Sequence, residues 1–348
     1  MKSLVINGQP IGPGHPCYLI AEMSANHGHD FEKALRILEE AKAAGADAVK
    51  LQTYTADTLT LDCEAEPFRI KGTLWEGRNL HQLYQEAYTP WEWQPKLKEA
   101  ADHLGIHLFS TPFDATAVDF LEAMQVPAHK VASFEIVDIP LLKKIGATGK
   151  PVIMSTGMAS LTEIDEAVAS LRRAGTRDIA LLKCTSAYPA PFEEMNLRTI
   201  PNLAETFGVA AGLSDHSLGS EVAVAAVALG ACIIEKHFTL SRADGGPDSA
   251  FSMEPGEFAA MVRAVRNVEK ALGRVTYALT PKQQESKIFR RSLFVAQDMT
   301  AGEPFTSENV RSVRPGFGLH TRYLDQVLGR RAAQDIARGT PLAWELVG

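Results

Sequence analysis

Two lysines, Lys50 and Lys130, two glutamates, Glu22 and Glu235, and two histidines, His216 and His237, stand within or at the ends of short apolar runs. A lysine in an apolar strand is costly to bury without a partner. The ordinary outcome is a side chain that snorkels to water or pairs with a neighbouring carboxylate. Two such lysines converging in a chain of net charge -7 point instead to a bound phosphate or carboxylate. Ser133, Ser155, Thr156 and Ser214 would add neutral donors. Gly157 and Gly212 would let the backbone approach a ligand closely.

A lone histidine is expected to be structural or hydrogen-bonding. His216 and His237 differ because they end consecutive runs, and each adjoins a carboxylate, Asp215 or Glu235. Neighbouring strands lie about 4.8 Å apart, so both imidazoles can reach one ion. With ligand and water oxygens completing the shell, a divalent metal such as Mn²⁺ or Mg²⁺ is the expectation. His15, His29, His81 and His103 have no such setting and are expected on the surface or in loops.

The elements that must position these groups are legible as strand-helix units. Strands are predicted over 18–22, 48–52, 107–111, 129–133, 151–155, 179–184, 209–214 and 232–237. Helical patterns lie between several of them, at 30–44, 91–104, 161–174 and 220–229. Gly45, Gly105, Gly175 and Gly230 fall just past helix ends, where glycine suits the left-handed cap. Eight units in series predict a (β/α)8 TIM barrel. A doubly wound open sheet is the alternative, but no G-x-G-x-x-G follows the first strand.

Polar residues gather at the strand ends. Glu22 closes the first strand, with Ser24, Asn26 and His27 following it. Lys50 and Gln52 close the second, two apart and so on one side, and Thr111 closes the third. Lys130, Ser133 and Glu135 close the fourth, Ser155 and Thr156 the fifth. Lys183, Thr185, Ser186 and Tyr188 follow the sixth, Ser214 to His216 the seventh, Glu235 to His237 the eighth. One such residue means little; the whole series points to a single polar site at the barrel mouth.

Residues 1–273 are read as the catalytic barrel, 274–287 as a linker and 288–348 as a small β-rich domain. Within the barrel, the stretch from Thr53 to Pro90, about forty residues, exceeds ordinary loop lengths. It carries Arg69, Lys71, Trp75 and Arg78 and is read as a lid with a local helix at 80–87. In the tail, 298–304 echoes 335–341 as paired glycine turns.

No run of eighteen apolar residues occurs, so no membrane span is expected, and the N-terminus lacks a signal-peptide pattern. Nucleic acid is disfavoured as a partner by the net charge of -7. Cys17, Cys63, Cys184 and Cys232 form no C-x-x-C pair, and three sit in apolar runs as small buried hydrophobes. A reducing cytoplasm is the expected location.

The segments Ala21–His27, Lys50–Tyr54, Ser110–Phe113, Lys130–Glu135, Ser155–Met158, Lys183–Pro189, Gly212–His216 and Glu235–Phe238 together resemble the N-acetylneuraminic acid synthase family of phosphoenolpyruvate-dependent enzymes. The tail, with Arg290–Leu293 and Arg314–Gly318, resembles the family's antifreeze-like (SAF) domain. The resemblance covers nearly the whole chain. It implies phosphoenolpyruvate contacts at Lys50, Thr111, Lys130, Ser133, Ser155 and Ser214. It implies acetamido-sugar contacts at Gln52, Glu135, Tyr188, Asp248 and Arg314, the last from the tail of the other subunit in a domain-swapped homodimer. It also implies a metal on His216 and His237. Where the neuraminate branch has asparagine this chain has Ser186. The segment from Lys71 to Tyr84 with Thr89–Trp93 instead looks like the pseudaminic acid branch, whose acceptor is a 2,4-diacetamido-2,4,6-trideoxy-L-altrose. N-acetylneuraminic or legionaminic acid synthesis is the alternative within the family.

The implied chemistry joins the enol carbon of phosphoenolpyruvate to the sugar aldehyde carbon. Lys50 and Lys130 hold the anionic end, and Glu22 or Glu235 positions or deprotonates a water. A Schiff-base aldolase remains a rival, since barrel lysines can form imines. A non-catalytic binder built on the antifreeze-like tail is the other, though it would have no use for lysines and histidines inside a barrel.

Overall fold

The first turn of the chain is Asn7-Gly8, both at positive φ (46° and 81°), the pair that a two-residue hairpin loop demands. It joins β1 (Leu4–Ile6) to β2 (Gln9–Ile11) in an antiparallel hairpin that the sequence reading passed over. The structure, a computed structural model, describes residues 3–72 and 76–348. Trp75 and part of the branch-like segment therefore lie outside the described residues.

Eight parallel strands follow: β3 (Tyr18–Glu22), β4 (Ala48–Thr53), β5 (His107–Pro112), β6 (His129–Val131), β7 (Val152–Ser155), β8 (Ile179–Cys184), β9 (Ala210–Asp215) and β10 (Ile233–His237). They close in sequence order, with β10 pairing β3. The expected TIM barrel is thus the observed fold. β6 ends two residues earlier than expected, because the short 3-10 helix Ser133–Val137 begins where the fourth strand was expected to continue, and β7 begins one residue later than expected.

Strand alternation sorts the apolar residues into two cores. Leu19, Ala21, Val49, Leu51, Leu108, Leu181, Leu213 and Ile234 face outward against the helices. Tyr18, Ile20, Ala48, Phe109, Ile153, Ala180, Leu182, Ala210 and Ile233 fill the barrel interior near the strand starts, joined there by Leu4, Ile6 and Ile11 of the hairpin. The interior is therefore plugged with hydrocarbon at its entrance end, and polar inward positions remain only toward the exit end. At Gly212 the barrel needs a missing side chain, because a Cβ there would collide with the Ile233 carbonyl and Leu182.

Helix ends follow local chemistry. Asp30 accepts from the Lys33 amide to cap Phe31–Ala43, and Ser160 forms a reciprocal box with Glu163 at the start of Leu161–Ala174. The long connection after β4 contains the helices Ala56–Leu59 and Leu80–Ala87. Its basic residues are engaged locally: Arg69 with Glu64, Lys71 with Glu66 and Arg78 with Glu86.

The chain divides into two compact units, Met1–Gly273 and Arg274–Gly348. In the second, β11 (Ser292–Val295) pairs antiparallel with β12 (Val310–Val313) over a core of Leu293, Val295, Met299, Phe305, Val310, Val327, Ala332, Ile336 and Leu342. The two echoing segments pair with each other through Met299 and Ile336, and Gly302 and Gly339 hold positive φ at their turns. No helix among the described residues is long and apolar enough to cross a membrane.

Candidate active site

The inward parity that ends in hydrocarbon at the barrel floor continues upward as Glu22 on β3, Lys50 and Gln52 on β4, Thr111 on β5 and Lys130 on β6. Ser155 on β7, Cys184 on β8, Ser214 on β9 and Glu235 and His237 on β10 complete it. Of these, Glu22, Lys50, Thr111, Lys130, Ser155, Ser214, Glu235 and His237 are buried, as are the neighbouring Ser133 and His216.

Four charges alternate across the interior. Lys50 Nζ lies 2.8 Å from Glu22 Oε2 and 3.7 Å from Glu235 Oε1; Lys130 Nζ lies 3.9 Å from the same Glu235 oxygen. Hydroxyls complete the ring. Lys50 donates to Thr111 Oγ1 (3.3 Å), Lys130 to Ser155 Oγ (2.7 Å) and to the Val131 carbonyl (2.9 Å), and Ser214 to Glu235 Oε1 (3.2 Å). Ser133 Oγ accepts the Gly157 amide at 3.1 Å. A Cβ on Gly157 would collide with the Ser186 and Ser133 hydroxyls, so this corner closes only around a glycine.

The charges do not respond alike to burial. Burial lifts the Glu22 carboxyl to about 7 against the pull of its single close cation, Lys50. Burial alone would also lower Lys50, yet Glu22 and Glu235 together hold it above the usual lysine value. Glu235 would be raised by burial too, but Lys130 and Lys50 pull it below the usual carboxylate value. Lys130 is lowered, because burial outweighs its more distant carboxylate. Two glutamates a few ångströms apart are thereby pushed to different protonation behaviour, the pattern that separates acid-base roles in enzyme sites.

Above this ring sits a second polar layer. Gln52 Nε2 donates to Glu22 Oε1 (3.0 Å) and Ser24 Oγ (3.1 Å), and the Ser24 hydroxyl donates to Asp248. Burial raises Glu135 to about 7, and its Oε2 is buried without a hydrogen-bond partner. The Tyr188 ring packs on His216 (centroids 4.4 Å) and Phe251 (5.1 Å). Tyr54 and Tyr84, from the long connection, stack edge to face (5.7 Å). Burial raises both phenols, with further upward pushes from Asp248 and Glu22 on Tyr54 and from Glu135 on Tyr84. The insertion thus brings aromatic rings, rather than its cations, to the site.

The two imidazoles lie side by side, ring centroids 5.4 Å apart. His216 Nδ1 is 3.0 Å from the Thr185 carbonyl, a contact that makes it the N–H donor and leaves Nε2 as the lone-pair nitrogen, as metal-binding histidines are commonly held. His237 Nδ1 is buried without a hydrogen-bond partner. The pair fits a metal site. Among the described residues no cluster of three or more His, Cys, Asp or Glu able to hold an ion is found, so further ligands would have to be substrate or water oxygens.

Three expectations change. Asp215, placed beside His216 as support for a metal, faces outward: Lys236 Nζ donates to it at 2.7 Å and to the Ser217 carbonyl at 2.7 Å, and Ser217 donates to it in turn. Lys183 also has outward parity and bonds the Cys184 carbonyl and Thr185. Cys184, read as a small buried hydrophobe, is buried but faces the site, 3.9 Å from His216 Nδ1. Its burial would raise the thiol, and His216, Ser133 and Lys130 draw it down to about 7. Parity along Ala180, Leu182 and Cys184 carried that signal. Tyr54 follows β4, Tyr84 sits in the helix Leu80–Ala87 of the long connection and Phe251 ends a short 3-10 helix, so strand parity marks none of them. Arg314 belongs to the second unit, just after β12.

A closed parallel barrel with its polar residues inside the strand-exit end is the architecture of a TIM-barrel enzyme. The chain belongs to the NeuB family, whose match spans residues 37–277, and carries an SAF domain at 290–347. It is similar to the pseudaminic acid synthase of Helicobacter pylori, 45% identical over 329 residues that span 94% of this chain and 97% of the relative. The N,N'-diacetyllegionaminic acid synthase of Legionella pneumophila is 35% identical across 98% of this chain and 97% of its own length. Among solved structures, the N-acetylneuraminic acid synthetase of Leptospira borgpetersenii in complex with citrate superposes with a TM-score of 0.72 at 34% identity, covering 82% of this chain and 95% of that one.

Proposed function

We propose that this enzyme condenses phosphoenolpyruvate with 2,4-diacetamido-2,4,6-trideoxy-L-altrose to form pseudaminic acid and inorganic phosphate. The observation that carries the phosphoenolpyruvate half is the pair of buried lysines, Lys50 and Lys130, sharing Glu235 and ringed by Thr111, Ser155, Ser214 and Ser133. Such a cluster is preorganised for an anion with several oxygens. The branch rests on 45% identity to a pseudaminic acid synthase against 35% to a legionaminic acid synthase at similar coverage.

In this reading, Lys50 and Lys130 hold the carboxylate and phosphate of phosphoenolpyruvate. The enol C=C pair forms a bond to the aldehyde carbon of the open-chain sugar, and the aldehyde C=O pair moves to its oxygen, which becomes a hydroxyl by taking one proton of the added water while the other leaves with phosphate. Water adds to the carbon bearing phosphate, and the C–O bond to phosphate breaks, releasing inorganic phosphate. Glu22, beside Lys50 and Gln52, accepts the proton of that water, while Glu235 stays ionised between the lysines. Gln52, Glu135, Tyr188 and Asp248 face the sugar. A divalent cation, Mn²⁺ or Mg²⁺, held by His216 and His237 would supply Lewis-acid polarisation of the aldehyde. His216→Ala or His237→Ala should then lower the metal content of the purified protein as well as turnover; unchanged metal content in either variant sinks the assignment.

The functional unit in this proposal is a cytoplasmic homodimer in which Arg314 of one protomer meets the sugar in its partner's barrel. Two features support a partner: exposed Val275 and Tyr277 in the linker with Phe289 at the start of the tail, and exposed Phe134, Val137, Met158, Phe192 and Leu218 in the connections after β6 to β9. The four unpaired cysteines suit a reducing compartment. Mixing inactive Arg314→Ala and His237→Ala chains should restore activity in the mixed dimer, since one of its two sites is intact; mixed dimers without activity exclude the exchange.

The direct test is phosphate release from phosphoenolpyruvate with the diacetamido sugar, followed by mass analysis of the product. Release with the mass of the nine-carbon acid supports the proposal. A lysine adduct trapped by borohydride with a keto acid, and no phosphate release, would make the protein a Schiff-base aldolase.

A further inference from the structure

Ser24 lies two residues beyond β3, is buried, and holds φ at +46°. Glycine adopts that conformation freely and a serine does not. A buried residue with a side chain kept there points to work done by the side chain. The Ser24 hydroxyl donates its proton to Asp248, more than two hundred residues away in sequence, and accepts an N–H of Gln52 Nε2 at 3.1 Å. The other N–H of that amide goes to Glu22 Oε1 at 3.0 Å. Asp248 is further held by the Ala25 backbone amide.

The chain of bonds has one polarity. With both carboxyls ionised, Asp248 and Glu22 can only accept, and the observed bonds run that way: Ser24 donates to the first and Gln52 to the second. Ser24, having spent its proton, must accept from Gln52. Both N–H groups of Gln52 are thus engaged, and turning the amide over would set its carbonyl against the Glu22 carboxylate. The group Gln52 has left to offer is its carbonyl oxygen.

We propose that Ser24 is the positioning residue that fixes the hydrogen-bond polarity of the sugar half of the site. Through it Gln52 presents a carbonyl oxygen and Asp248 a held carboxyl, so this corner receives donors: the hydroxyl and amide N–H groups of an acetamido sugar. Ionised phosphoenolpyruvate has no N–H or O–H to give and is refused there. The inference rests on the assignment of Gln52 and Asp248 to the sugar under the proposed function.

The test is steady-state kinetics of Ser24→Gly and Ser24→Ala with each substrate varied, beside Gln52→Ala and Asp248→Ala. Glycine relieves the backbone and removes the hydroxyl; alanine removes the hydroxyl alone. Both Ser24 variants should raise KM for the sugar about tenfold and leave KM for phosphoenolpyruvate within about twofold. Ser24→Gly should keep or raise Tm, which separates lost positioning from lost folding. If Ser24→Ala fails to fold, Ser24→Gly still decides. Wild-type kinetics for the sugar in Ser24→Gly, or equal rises for both substrates, overturns the proposal. If Gln52→Ala and Asp248→Ala raise KM for the sugar while Ser24→Gly does not, the role of Ser24 falls alone. If neither raises it, the sugar assignment falls and takes this inference with it.

Discussion

Glu235, Lys236 and His237 are consecutive on one strand and belong to different regions of the molecule. Lys236 points out of the barrel into a buried pair with Asp215 in which both partners find further hydrogen bonds through Ser217. Glu235 points in, toward Lys50 and Lys130, and its Oε2 is left without a hydrogen-bond partner, as is His237 Nδ1. Burial and charge are the same on both faces; the difference is whether the protein itself satisfies the polar atoms. A native fold rarely leaves buried polar groups unpaired without a reason. The outer pair is complete as architecture, while the inner set keeps polar atoms that the protein's own groups do not pair.

Removing one lysine from each face should separate the two regions most widely. Lys50→Met should lower kcat/KM by about 100- to 1000-fold, the loss expected for a preorganised charge at a reacting centre. Tm should change little in that variant, because Glu22, already lifted to about 7, can take up a proton. Lys236→Met strands Asp215 in the outer shell and should cost about 3–5 kcal/mol of stability. Its residual folded fraction should keep a near-normal KM for phosphoenolpyruvate. Thermal melts and kinetics on both proteins check this; a Lys50 variant that unfolds while the Lys236 variant melts normally would reverse the argument.

A smaller effect lies in the pH dependence of stability. Burial raises Glu135 from 4.5 to about 7. A carboxyl raised in the folded state contributes stability that is fully present below pH 4.5 and is lost as pH climbs through 7. Glu135→Gln carries no such dependence. Its Tm should match the wild type near pH 5 and exceed it near pH 8, and equal Tm differences at the two pH values would contradict the assigned environment of this side chain.

The sequence made the inner face readable because strand alternation places Lys50, Gln52, Glu235 and His237 on one side by parity alone. The same parity, applied strictly, moves Asp215 and Lys183 outward and Cys184 inward; adjacency to His216 marked Asp215, a polar strand end marked Lys183, and an apolar run masked Cys184. The Asn7-Gly8 pair is an equally plain turn signal, although the strands it joins are only three residues long. What had no local signal were the groups delivered by loops. Asp248 reaches Ser24, and Tyr54 and Tyr84 pack together near Asp248 and Glu135, only because the barrel closes. Resemblance to the synthase family gave Asp248 a role at the sugar; Tyr54 and Tyr84 lay within resembling segments but were given no role.

The most direct measurement of the central claim is the ratio of kcat/KM for 2,4-diacetamido-2,4,6-trideoxy-L-altrose to that for N-acetylmannosamine, both with phosphoenolpyruvate and followed by phosphate release. The account predicts a ratio of at least about 100, the discrimination a site built for specific hydrogen bonds achieves readily. A ratio of one or less would place the enzyme with the neuraminate synthases and contradict the acceptor assigned to the inner face.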